Sequence, residues 1–172
     1  FSTRPAVLGS FVAAVGMNKY EESAEIIRLG LKANPDDPTL INNLVFALAS
    51  SGDIEAAVKE YERFSKLSTS SEGDNVILLY ATGGLLEFRK GNLETGRSLY
   101  LKALEEARKR KQRRLVVSAA AFYANEEVRA RTEYAAEMLG RAEKLIKSER
   151  MPGVQGMLEK ARKSLRAPRK GN

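Results

Sequence analysis

The chain has 172 residues, 43% of them hydrophobic, and a net charge of +7, enough for one ordinary domain with a sizeable core. It contains neither cysteine nor histidine, which excludes the usual zinc sites, thiolate nucleophiles, histidine-based triads and any disulfide framework. The charge is uneven: residues 1–86 hold 7 Lys/Arg against 11 Asp/Glu, a net −4, and residues 87–172 hold 22 against 11, a net +11.

A mildly acidic half is thus joined to a strongly basic one. Such asymmetry fits a nucleic-acid, membrane or acidic-partner surface, and it also fits an ordinary solvated helical surface. No apolar run approaches the roughly 20 residues of a membrane span, and no signal peptide is visible. A cytoplasmic setting is therefore expected. The start at Phe1 rather than Met is read as a processed or excised chain, from which a targeting segment or a partner domain could have been removed.

In chain order, Ser2-Thr3-Arg4-Pro5 reads as helix entry, and Val7, Leu8, Phe11, Val12 and Val15 form the apolar stripe of a first helix. Gly16–Lys19 makes a turn, and Tyr20–Lys32 a second helix. Asn34-Pro35-Asp36-Asp37-Pro38 then breaks the chain. Ile41, Leu44, Val45 and Leu48 recur at helical spacing, as do Ala56, Ala57, Tyr61 and Phe64. Between these runs Ser51-Gly52-Asp53 supplies a left-handed residue after one helix and a cap for the next. Ser68–Asp74 is a polar, small-residue loop. Val76–Lys90 and Leu93–Lys109 follow as a pair around Gly91-Asn92. The doublet Gly83-Gly84 costs about 1 kcal/mol per glycine in a helix, a cost that calls for a packing reason. Leu115–Val128 and Glu133–Lys147 read as a further pair with a weak boundary at Arg129–Thr132, where no glycine marks a turn. Met151-Pro152-Gly153 is a break, and Val154, Met157, Leu158, Ala161 and Leu165 form a last amphipathic helix. Ala167–Asn172 is expected to be a basic tail.

Several of these positions recur in register. The residue after the turn is Tyr20, Ile54 or Leu93. The small residue early in the second helix is Ser23, Ala57 or Gly96, and the large one a turn later is Ile27, Tyr61 or Tyr100. The second small position reads Gly30, Phe64 and Ala103, and Phe64 departs from the pattern, so looser or shifted packing is expected there. Asn34-Pro35 closes the first unit. In this the chain resembles the tetratricopeptide repeat (TPR) family, whose unit is about 34 residues. Tyr20 to Ile54 spans 34 residues and Ile54 to Leu93 spans 39, the difference falling in the Ser68–Asp74 loop.

The resemblance implies an all-α, right-handed solenoid of antiparallel helix pairs forming one domain over 1–172. Its units would be about 4–36, 37–75 and 76–112, with a degenerate pair at 113–148, a capping helix at 153–166 and a basic tail at 167–172. It further implies a scaffold whose first helices line a groove for an extended peptide or a helix. By register the groove would show Leu8 and Val12, then Asn42, Asn43 and Phe46, then Leu78, Ala81, Thr82, Leu85 and Arg89, and from the fourth pair Val117, Ala120 and Ala121. Asn43 falls where many family members hold an asparagine that bonds ligand main chain, a role suited to an amide that both donates and accepts. The cationic clamp of the subfamily that binds acidic C-terminal tails is absent, its positions being Leu8, Val12, Leu78 and Thr82. An apolar groove with a few amides suits an amphipathic helix or apolar peptide. The same residues also suit packing between neighbouring helices, and self-association through the groove is a further reading.

No phosphate-binding, dinucleotide-binding or nucleophile-elbow motif occurs. The acidic doublets Asp36-Asp37, Glu105-Glu106 and Glu126-Glu127 point about 100° apart on a helix and do not converge on a metal. The chain is therefore expected to be neither an enzyme nor a cofactor or metal carrier, although it could be the interaction domain of a larger enzyme. The alternative function lies in the basic half. Arg108, Lys109, Arg110, Lys111, Arg113 and Arg114 form a cluster that could contact nucleic-acid phosphates, without the interleaved aromatics that stack bases.

Overall fold

The structure is a computed structural model and describes residues 6, 9, 14, 17, 19–68, 73 and 75–167. Among them the chain is all-helical, with no strand. Its helices are α1 (Tyr20–Ala33), α2 (Pro38–Ser51), α3 (Ile54–Ser68), α4 (Asn75–Arg89), α5 (Leu93–Lys109), α6 (Arg113–Arg129), α7 (Ala135–Ile146) and α8 (Pro152–Arg166). The apolar stripe expected over Val7–Val15, most of the Ser68–Asp74 loop and the end of the basic tail lie outside the described residues.

Local chemistry sets the boundaries. Asp37 caps α2 through one carboxylate oxygen, which accepts from the Thr39 and Leu40 amides at 2.9 and 3.1 Å, with Pro38 in the first turn. Asp53 caps α3 by accepting from the Ala56 amide at 3.2 Å. At the end of α2, Gly52 is left-handed (φ 98°), and the amides of Gly52 and Asp53 both bond to the Leu48 carbonyl. Gly91 (φ 87°) closes α4 in a similar way.

The next two turns repeat this geometry without glycine. Lys111 (φ 59°) and Arg131 (φ 51°) are left-handed, with amide bonds from Gln112 to Ala107 and from Thr132 to Glu127 closing α5 and α6. The boundary at Arg129–Thr132, weak in the sequence, is a full helix stop.

Each helix packs on its neighbours in the chain. The even helices also pack on one another, α2 on α4, α4 on α6 and α6 on α8, whereas no odd helix makes comparable packing with another odd one among the described residues. The last helix thus continues the even row. Val154, Met157, Leu158 and Ala161 turn inward and its charged residues outward.

The core runs continuously along the chain. At the α4/α5 contact, Gly84 and Gly96 let the two backbones touch: a β-carbon on either would sit 3.1 Å from the other's carbonyl oxygen. One on Gly83 would meet the Tyr61 hydroxyl at 2.5 Å. That is the packing reason the glycine doublet called for. Phe64, where looser packing was expected, is instead completely buried; its larger side chain fills the core at a position that holds Gly30 and Ala103 elsewhere.

Candidate functional site

The even helices form the walls of a cleft of about 190 Å³. Asn42, Asn43 and Phe46 come from α2, Ile77, Leu78, Ala81, Thr82 and Leu85 from α4, and Leu115, Ser118, Ala119 and Phe122 from α6. They converge because residues three and four apart share one helix face. The lining is overwhelmingly apolar, with a few amides and hydroxyls.

Six sequence-selected residues, Asn42, Asn43, Phe46, Leu78, Thr82 and Leu85, come together here. Thr82 donates its hydroxyl proton to the Asn42 side-chain oxygen at 2.6 Å, tying α4 to α2. Asn43 is half-buried and has no hydrogen-bond partner among the described residues, so its donor and acceptor are both available to a ligand's main chain. Leu85 is almost wholly buried and contributes mainly packing. Leu8 and Val12 lie outside the described residues.

Arg89 is elsewhere. Its guanidinium makes a two-point ion pair with Glu126, at 2.6 and 2.9 Å, and also donates to the Ala49 carbonyl at 3.3 Å. Both side chains are largely buried, 11% and 2% exposed. Arg89 is therefore an interhelix tie rather than a cation of the apolar cleft. The fourth-pair residues also need correction. Val117, Ala120 and Ala121 are buried in the core, and it is Leu115, Ser118, Ala119 and Phe122 that face the cleft. Without a glycine turn to fix its register, the helix face of α6 was misplaced in the sequence reading.

Phe46 is half-buried and sits in a chain of edge-to-face rings. Its centroid lies 6.3 Å from Tyr20 and 5.3 Å from Phe122. Beyond this ring is a second cavity of about 220 Å³, lined by Tyr20, Phe46, Ser50, Arg89, Asn125, Arg129, Lys160 and Ser164 among others. Of its lining only Phe46 and Arg89 stand among the sequence-selected residues, because the cavity is assembled from α1, α2, α4, α6 and α8.

The doublet Glu126-Glu127 diverges, as adjacent helical residues must. Glu127 accepts from Arg97 at 2.7 and 3.1 Å and from the Thr132 hydroxyl. The bonds to Glu127 hold the Arg97 guanidinium above its ordinary pKa, and Arg97 also lies 4.7 Å from the Tyr134 ring centroid. Among the described residues, no group of three or more acidic side chains could hold a metal ion.

The basic cluster is spread over the α5/α6 turn, and all six of its residues are exposed. Arg110 bonds Glu106 at 2.6 Å and the Gly73 carbonyl at 2.9 Å; Arg108, Lys109, Lys111, Arg113 and Arg114 have no acidic partner among the described residues. Arg108 and Lys109 complement the dipole at the end of α5, but Arg113 and Arg114 stand at the start of α6, where the dipole opposes them. No described helix is long and apolar enough to cross a membrane. Compared with protein-family models, with curated proteins and with solved structures, the chain matches none.

Proposed function

We propose that the chain is a TPR-like helical-repeat scaffold that binds a protein or peptide partner in the groove of its even helices. The two-row packing, with each even helix touching the next even one, supports a solenoid of antiparallel pairs. The cleft carries the functional reading. At about 190 Å³ it is close to the ~150 Å³ that accommodates benzene in an engineered apolar cavity, and well below the ~300–1,000 Å³ of drug-sized ligand sites. That size suits one large apolar side chain of a partner, with the Asn43 amide beside it to bond the partner's main chain.

Selection of displayed peptides on the immobilised chain tests this reading. Enriched peptides should share a large apolar residue, and Leu78→Glu should abolish their capture while helical content stays unchanged. Enrichment that Leu78→Glu leaves intact would move binding away from the cleft.

A second reading has one specific observation behind it. Arg113 and Arg114 sit against the α6 dipole, adding to a local positive field at the exposed α5/α6 turn. Nucleic-acid phosphates would be attracted there. Such binding would weaken steeply with salt, and neutralising Arg108–Arg114 would flatten the slope; salt-insensitive binding would remove this reading.

A further inference from the structure

The positive charge of the second half gathers around two turns rather than one. The Ser118 hydroxyl, one helical turn along α6 from Arg114, lies 4.0 Å from the sulfur of Met151, just before α8, and α6 packs on α8 in the even row. The α7/α8 turn therefore stands beside the α5/α6 turn. It contributes Lys147 and Arg150, both exposed and without an acidic partner among the described residues. They extend the group formed by Arg108, Lys109, Lys111, Arg113 and Arg114. Residues 108–114 and 147–151 hold a single acid, Glu149; Glu105 and Glu106 precede the first turn, and Glu106 is taken up by Arg110.

Helix dipoles do not account for this placement. A solvated surface favours cations at helix C-termini, and Arg108, Lys109 and Lys147 obey that rule. Arg113 and Arg114 instead open α6, and Arg150 stands just ahead of α8, at positive helix ends. Neither helix has a side-chain cap, whereas Asp37 and Asp53 cap α2 and α3. Arginines beside two uncapped N-termini are unfavourable for the fold alone. They favour a bound phosphate, which guanidinium groups and backbone amides both attract.

Extending the second reading above, on which it rests, we propose that the α5/α6 and α7/α8 turns form one seat for a nucleic-acid duplex, held through the phosphates of both strands. Neighbouring packed helices lie about 8–10 Å apart, so the two turns present two groups of cations at about that spacing. Flexible Lys and Arg side chains extend it to the ~12 Å across the major groove of B-form DNA, which is flanked by one backbone on each side. Neither turn contains an aromatic residue, so a single strand finds no platform on which to stack its bases. Met151 is the one large apolar residue in them and is half-buried, which leaves no apolar anchor for a membrane surface. Contact is with the backbone, independent of base sequence.

The test is fluorescence anisotropy of the full chain with labelled DNA and RNA duplexes of ~20 base pairs, about two helical turns, and with their single strands, over a range of salt. A duplex of either sugar should bind more tightly than its single strands, and the two arms tell which sugar is preferred. Lys147→Gln/Arg150→Gln should weaken duplex binding about ten-fold and lower the slope of log affinity against log salt by about 2. Thermal unfolding should not change, since both side chains are exposed. Lys32→Gln/Lys59→Gln removes the same charge from exposed sites in the first half and should alter neither affinity nor slope. Duplex binding untouched by Lys147→Gln/Arg150→Gln would overturn the two-turn seat, and the α5/α6 reading would stand if neutralising Arg108–Arg114 still flattened the slope. Equal weakening by Lys32→Gln/Lys59→Gln would show attraction to net charge alone and overturn both. Single strands that bind as tightly as the duplex would overturn the duplex and leave the α5/α6 reading intact. Binding to vesicles of anionic lipid with none to nucleic acid, or no binding to either, would overturn both.

Discussion

Phe46 on α2 and Phe122 on α6 meet edge-to-face with ring centroids 5.3 Å apart, linking the two even helices that flank α4 in the row. Phe46 lines both the apolar cleft and the second cavity. Aromatic pairs of this geometry contribute about 0.5–1.5 kcal/mol beyond area burial. A double-mutant cycle with Phe46→Leu and Phe122→Leu should show a coupling energy of that size in chemical denaturation. Additive effects would mean that the rings do not support one another.

The turns offer a test of backbone strain. Lys111 and Arg131 hold left-handed conformations that Gly52 and Gly91 adopt at low cost. Left-handed backbone costs an L-residue about 1–2 kcal/mol, and glycine's greater freedom in the unfolded chain takes back part of any gain. Lys111→Gly and Arg131→Gly should therefore each stabilise the fold by about 0.5–1 kcal/mol, read as a raised denaturation midpoint. A lowered midpoint would contradict the turn geometry.

Glycine matters differently where α4 meets α5. Gly84→Ala and Gly96→Ala each place a methyl group against the opposing backbone and, respectively, against Tyr100 and Phe88. Forcing the helices apart should cost about 1–3 kcal/mol, whereas helix propensity alone would predict a gain near 1 kcal/mol. The sign of the measured change decides between them.

The buried ion pair gives a larger effect. Glu126→Gln leaves Arg89 buried without its counter-charge, and breaking such pairs costs about 3–5 kcal/mol. Thermal unfolding should shift sharply downward. A neutral outcome would place Arg89 in solvent.

Alkaline pH should destabilise the fold through its tyrosines. Burial first, then nearby Glu87 and Tyr80, pushes Tyr61 up to about 12, and burial together with Glu127 does the same for Tyr123. A folded-state pKa above the unfolded value of ~10 means that the native state holds the proton more tightly. The resulting stability is complete below pH ~10 and is lost as pH rises through about 12, by up to ~1.4 kcal/mol per pH unit for each group. Tyrosinate absorbance should show a late-titrating fraction in the folded chain that disappears in denaturant. Uniform titration near 10 would contradict the burial.

The helices were legible in the sequence because their signals are local. Leu93–Lys109 is found to the residue, and Asp53 caps α3 as its position implied. The cleft was legible over α2 and α4, where proline and glycine punctuation fixes the register. It was misread on α6, whose preceding turn uses Lys111 and carries no such mark. Arg89 was misassigned because its partner lies 37 residues away on another helix, and no local pattern announces a long-range pair. The second cavity went unread as a site for the same reason, its lining meeting only after α6 and α8 have packed.

The most direct test of the groove is to fill it. Ala81→Phe should occupy the cleft from α4, keep or raise the unfolding temperature by added apolar burial, and abolish binding of the selected peptides. Undiminished binding by a folded Ala81→Phe chain would show that the cleft is not where the partner sits.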